Sequence, residues 1–348
     1  MAERVEGKWI KCFVETFQSC RVREGDVVAI LSETQSRQVL VDLSELALLQ
    51  LGARVFHVRL PTPPLEDPVP MRSTGATPAV QGIVPVIKAL ASSSLVVDVT
   101  VEGMLHAPEL PAILEGGSRL FMISNEHPEI LERCMPNPAL RPTIDLGMKM
   151  LSEAGTMRVA SDAGTDLIIN VTDAPGRGGA GYLDEGDKVG YWPAGLCLCF
   201  PKAKTTNGTV VLDRGDVNLT FKRYLETPIT LTFDDDFVVN IVGDGLDAEL
   251  MREYYAAFDQ NAYAVSHVGW GMNPAARWDS LAMFDKDQIN GTELRALAGS
   301  FLLSTGANEF AGRFTRGHFD LPMRNCSIWL DERQIIEKGV LMPPLAFS

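Results

Sequence analysis

Short apolar runs and stretches of helical period alternate along the first 150 residues of the chain. Asp26-Val27-Val28-Ala29-Ile30-Leu31 is an apolar run of buried-strand type, and a helical pattern follows over about residues 36–51, closed by Gly52. Arg54-Val55-Phe56-His57-Val58-Arg59-Leu60 then alternates as a strand does. Strand, helix, strand predicts a right-handed crossover unit of a parallel sheet.

The rhythm continues. Thr77-Pro78 predicts a helix running to about Leu90, with Thr at the N-cap, Pro at the first helical position, and Pro85 kinking or shortening it. Residues 95–101 read as a further strand, 108–115 as a short helix closed by Gly116-Gly117, and Leu120-Phe121-Met122-Ile123 as another strand. His127-Pro128 opens the next helix. The pattern predicts an α/β fold whose first part, residues 1–155, is an open, mainly parallel sheet with its helices.

From about Arg158 strands predominate, separated by turn signals such as Asn207-Gly208, Asp213-Arg214-Gly215-Asp216 and Asp234-Asp235-Asp236. Helical patterns recur near residues 247–258 and 291–297. Residues 156–348 are therefore expected to form an α+β domain on an antiparallel or mixed sheet.

Composition narrows the partners. With 348 residues, 46% hydrophobic and 22% charged, the chain has material for two domains. A formal charge of -14 and no local Lys/Arg cluster exclude a nucleic-acid partner. No apolar run approaches the ~20 residues that span a bilayer. Met1-Ala2-Glu3-Arg4 does not begin a cationic-then-apolar leader, so the expectation is a cytoplasmic protein with no membrane partner. The six cysteines are expected to stay reduced and mostly buried; Cys197 and Cys199 share a strand face but form a lone C-x-C, a poor zinc site.

The residues that carry candidate chemistry are few. His318 and Asp320 occupy alternate positions of an extended run, so both side chains leave one face and can grip one ion. His267, in Val265-Ser266-His267-Val268-Gly269, lies in a strand-like run that can pair beside them. Two imidazoles and a carboxylate on one side of a metal make the facial triad of non-haem Fe(II) oxygenases, and the bland alternative is a strand-end His paired with its neighbouring carboxylate. His106 lies just past the carboxyl end of a parallel strand, where ligands of open α/β sheets bind. It reads equally as a proton acceptor for a phenolic hydroxyl or as a loop His bonded to backbone. His57 reads as a satisfied, partly buried strand residue and His127 as a helix cap. Gly176-Arg177-Gly178-Gly179-Ala180-Gly181 matches a dinucleotide fingerprint but is followed by acidic, turn-like residues in place of a helix, and is read as a flexible surface loop. ATPase, gluzincin and α/β-hydrolase motifs are absent from the sequence.

Four segments carry a resemblance. Tyr191-Trp192-Pro193-Ala194-Gly195-Leu196, the run from Val265 to Pro274, Leu297-Ala298-Gly299-Ser300-Phe301-Leu302-Leu303 and Gly317-His318-Phe319-Asp320 occur in the order of the motifs of the thermophilic metallo-aminopeptidases. That family has metal-binding glutamates where this chain has Leu196 and His267, and a metal-binding histidine where it has Phe301. Only His318 and Asp320 match directly. The altered set resembles the branch of 2,5-dihydroxypyridine 5,6-dioxygenases, over essentially the whole chain and including Met104-Leu105-His106.

The resemblance implies an aminopeptidase-like fold and O2-dependent cleavage of 2,5-dihydroxypyridine between ring carbons 5 and 6, giving N-formylmaleamic acid. It implies Fe(II) on His267, His318 and Asp320, His106 as proton shuttle, and a homo-oligomer. Leu105 and Tyr191 are candidate pocket residues, and Ser304, Thr305 and Arg316 are polar contacts or structural residues. A one-zinc aminopeptidase-like hydrolase is the rival reading, and a non-catalytic ligand binder with a structural metal is a third.

Overall fold

Five parallel strands make the first sheet, in the order Arg54–Leu60, Val27–Glu33, Leu95–Asp98, Arg119–Ile123 and Val189–Trp192. The structure is a computed structural model that describes residues 4–66 and 75–347, so Met1–Glu3 of the leader argument lie outside the described residues. Alternation of side chains sends Val28 and Ile30 to one face, against Phe13 and Phe17 of the helix Gly7–Ser19 and Leu40 and Leu43 of the helix Gln38–Gln50. Ala29 and Leu31 go to the other, against Leu90 of the helix Val84–Ala91 and Ile113 of the helix Leu110–Glu115. Burial on both faces is why these strands read as unbroken apolar runs.

Two sequence expectations need correction here. The fifth strand, Val189–Trp192, comes from beyond residue 155 and pairs with Arg119–Ile123, so the sheets do not divide the chain at that point. Trp192 is fully buried beside Phe13, with ring centroids 5.0 Å apart, an apolar anchor strong enough to draw the chain back. The helix expected from Thr77 starts instead at Val84, with Pro85 in its first turn, where a missing N–H costs nothing. Thr77 still accepts the Ala79 N–H at 3.2 Å, capping only a turn, while its hydroxyl donates to the buried Glu33 carboxylate at 2.5 Å.

The rest of the chain is mostly antiparallel, as expected. An eight-stranded sheet runs from Phe237–Val242 to Val340–Leu341, and a five-stranded one takes the order Arg313–Met323, Phe301–Asn308, Val265–Gly271, Leu196–Cys199, Arg177–Gly179. One continuous core joins them, with Met157, Ile169 and Ile328 from the eight-stranded sheet and Trp270, Phe301 and Phe319 from the five-stranded antiparallel one, the second of the two. The helix Arg141–Glu153, which sequence reasoning missed, covers the second sheet. Its Gly147 lies so close that a Cβ there would stand 2.8 Å from the Cys197 sulfur.

All six cysteines are free and buried. The glycine-rich run is not a loose loop: Arg177–Gly179 is the edge strand, and a Cβ at Gly178 would sit 2.1 Å from the Leu196 carbonyl oxygen. The glycines are there for close backbone approach. Among the described residues no helix is long and apolar enough to cross a membrane.

Candidate metal centre

The strand Arg313–Met323 carries two opposite sets of side chains. Phe319 points into the core, stacked on Tyr255 at 4.2 Å and edge-on to Tyr254 at 4.1 Å. Pleating therefore turns His318 and Asp320 to the other face, and the aromatic packing holds them there. The neighbouring strand Phe301–Asn308 places Ser304 opposite Asp320 and Gly306 opposite His318.

His267 reaches the same face through an irregularity. Val265 pairs with Thr305 and Val268 with Leu303, so two residues, Ser266 and His267, stand against one. Such a bulge re-aims side chains. It lets Val265 and Val268, three residues apart, both enter the core, while His267 turns toward Asp320.

The three groups converge. His267 Nε2 lies 3.6 Å and His318 Nε2 3.5 Å from Asp320 Oδ1, and the ligand atoms all fall within 4.8 Å of one another. These separations exceed the ~2.7–3.2 Å of a good N–H···O hydrogen bond. They suit a shared ion, because atoms about 2.1 Å from one centre stand about 3 Å apart at right angles and about 4.2 Å apart when opposed.

Electrostatics favour ligation. Burial alone would raise the Asp320 carboxyl, but the Arg295 guanidinium and the two imidazoles outweigh it and hold the group well below the usual carboxylate range. Arg295 Nε donates to Oδ2 and the Ser304 hydroxyl to Oδ1, each at 2.6 Å. Burial pushes His267 down to about 3, so its ring is neutral with a lone pair to give, and its buried Nδ1 has no hydrogen-bond partner. Two imidazole nitrogens and one anionic oxygen on one face are the donor set of the 2-His-1-carboxylate centre.

A cleft of about 740 Å³ opens over His318, between the two halves of the molecule. His106 enters it from the parallel half, its ring 6.3 Å from that of His318. Phe200, Ser266, Phe310 and Phe314 come from the antiparallel half. Phe200 packs edge-on to His267 at 5.4 Å and against Phe310 at 5.4 Å. Burial, reinforced by His318, lowers His106 to about 4, so the imidazole is neutral near pH 7 and can accept a proton.

The other candidates are dispersed. Ser304 is fully buried with its hydroxyl on Asp320, and Thr305 turns to Tyr255, oxygen to oxygen at 2.7 Å. Leu105 packs in the apolar cluster beneath the parallel sheet, and Tyr191 against Leu196, Ala296 and Leu302; neither lines the cleft. Arg316 does line it, 3.4 Å from Glu66. His57 is exposed and 3.5 Å from Glu45, where a partly buried residue was expected, because its strand edges the sheet. His127 caps the helix Pro128–Arg133, its Nδ1 accepting the Glu129 N–H.

Sequence reasoning missed Arg295. It sits on the helix Thr292–Ala296, whose first N–H groups are gathered by a buried glutamate from the other half: Glu126 accepts from the backbone of Asn290, Gly291 and Thr292. Beside it Arg133 grips the buried Glu293 with bonds of 2.8–3.0 Å. No spacing rule links an Arg in a short helix to a carboxylate 25 residues on.

Leu196 and Phe301, two of the positions that the resemblance aligns with aminopeptidase metal ligands, are set in apolar surroundings. Leu196 is 5% exposed among Ala296 and Leu302, and Phe301 is fully buried in the main core. A second ion has no donors at those positions.

AmpT from Thermus thermophilus shares the fold, with a TM-score of 0.64 at 13% identity over 96% of this chain and 99% of that one. The structure of 2,5-dihydroxypyridine dioxygenase from Pseudomonas putida superposes with a TM-score of 0.90 at 33% identity, covering 97% of both chains. A 2,5-dihydroxypyridine 5,6-dioxygenase of Pseudomonas putida is 34% identical over 340 residues, 95% of each protein. The family model described as 2,5-dihydroxypyridine 5,6-dioxygenase matches residues 8–343, and the chain belongs to that family of enzymes.

Proposed function

We propose that this protein opens the ring of 2,5-dihydroxypyridine between C5 and C6 with one molecule of O2, giving N-formylmaleamic acid, with Fe(II) held by His267, His318 and Asp320. The observation that carries the reading is the triad: two imidazoles and one carboxylate whose ligand atoms lie within 4.8 Å of one another, with His318 opening onto a cleft large enough for a single aromatic ring. When bound, the iron would supply Lewis acidity toward a ring hydroxyl and a conduit for electrons from the ring to dioxygen, whose direct reaction with a closed-shell ring is spin-forbidden.

The chain's own residues do the rest. Arg295 and Ser304 keep Asp320 anionic and fix its orientation. His106, neutral and facing the triad, accepts the proton of the ring hydroxyl and returns it to the opened product. Phe200 and Phe310 give the pyridine ring an apolar wall and limit water. The net change balances: both oxygen atoms enter the product, and no other reductant is consumed.

The test is metal reconstitution. Anaerobic apoprotein is loaded with single divalent metals and given 2,5-dihydroxypyridine in air. Fe(II) should restore loss of substrate with one O2 taken up per ring. Equal activity with Zn(II) and no oxygen uptake would overturn the reading.

A further inference from the structure

The two central strands of the parallel sheet, Val27–Glu33 and Leu95–Asp98, both end in buried carboxylates that take no part in the triad. Asp98 is fully buried, and its oxygens are spent on the loop that follows. Oδ1 accepts the Thr100 N–H at 3.0 Å and the Thr100 hydroxyl at 2.6 Å, and Oδ2 accepts the Met104 N–H at 2.7 Å. The Thr100 hydroxyl in turn accepts the Gly103 N–H at 3.1 Å. One carboxylate thus winds residues 98–104 into a closed turn.

Sterics hold the turn from below. Gly103 has φ +85°, a conformation strained for any other residue, and a Cβ there would also stand 2.2 Å from the Met122 sulfur, forcing that side chain to move. Met104 is fully buried beneath the sheet. The loop is also tied sideways, by the Thr77 N–H to the Gly103 carbonyl and the His106 N–H to the Gly75 carbonyl, both at 2.8 Å. Two residues past Met104 the chain delivers the His106 ring to the triad.

We infer that Asp98 is a positioning residue for His106: its carboxylate shapes the 98–104 turn that carries the imidazole to the metal centre, without touching substrate. The inference rests on the proposed role of His106 in ring cleavage. An amide at position 98 has the same shape but sets an NH2 against either the Met104 or the Thr100 N–H, so one strut of the turn must break.

A double-mutant cycle tests it, with 2,5-dihydroxypyridine and O2 as substrates and iron per chain measured for every variant. Asp98→Asn should lower kcat about tenfold or more, with KM and iron content little changed, because the triad is built on other strands. In a His106→Ala background the same substitution should change kcat by less than about twofold. Thr100→Val, which removes the hydroxyl strut alone, should repeat the pattern more weakly and serves if Asp98→Asn does not fold. A wild-type kcat in both variants, or a loss of the same factor with and without His106, overturns the inference while leaving the ring-cleavage reading intact. If His106→Ala alone turns over at the wild-type rate, the role of His106 fails, and the inference with it.

Discussion

The two walls of the cleft are built in opposite ways. The three proposed metal ligands stand in mid-strand, on paired antiparallel strands backed by Phe319, Tyr254 and Tyr255. His106 stands on a loop beyond the end of a parallel strand, held by hydrogen bonds to Asp98 and Gly75. A ligand set that must keep its spacing within tenths of an ångström is placed on sheet, whereas a group that moves a proton is placed where the backbone is shaped residue by residue. Metal retention and proton transfer should therefore fail separately.

The largest break in that comparison should come from His318→Ala, which removes a ligand outright. Iron per chain and turnover should both fall to background, while the far-ultraviolet circular dichroism of the apoprotein stays unchanged. His106→Ala should do the converse, keeping the iron but slowing turnover by about 10²-fold or more. An iron-free His106→Ala protein would show that the two walls are not independent.

Arg295→Met sharpens the comparison from the ligand side. Asp320 loses its guanidinium partner while the ligands themselves remain, and iron affinity, read by competition with a chelator, should drop about 10–100-fold. The last effect, on stability and not on turnover, is a pH dependence in the other wall. Burial, only partly opposed by Thr100 and Met104, raises the Asp98 carboxyl to about 6 from 3.8. The folded state thus binds this proton more tightly than the unfolded one, and the stability it contributes is full below about pH 4 and lost as pH rises to about 6. The shift corresponds to an upper figure of about 3 kcal/mol. Urea unfolding of apoprotein should show the wild type losing ground to Asp98→Asn between pH 4 and 6.5, and a constant difference would refute the assignment.

Much of this was legible in the residues. Apolar runs announced the parallel strands, and the alternation of His318 and Asp320 placed both on one face before any strand was paired. Partnership over long distances was not legible. The bulge that turns His267 depends on how two strands align, and the fifth parallel strand depends on where Trp192 finds Phe13. The helix Arg141–Glu153 went unread although Ile144, Met148 and Leu151 recur at helical spacing, and its Gly147 is small so that Cys197 can approach. Thr77 carried a capping signature and does accept the Ala79 N–H, but the helix itself begins only at Val84, and the hydroxyl also makes a tertiary bond to Glu33. Arg295, bonded to a ligand, lay in a segment with no motif of its own.

The grip of Glu126 on the start of the Arg295 helix has a mechanical consequence. A carboxylate rooted in one half holds three amides of the other, and that short helix in turn bolts Asp320 in place. The halves are riveted at the floor of the site, so swinging them apart like a jaw would tear at Asp320, a proposed iron ligand. Traffic is left to the rim, where Phe310 and Phe314 stand more than half exposed and can rotate aside while the foundations stay still.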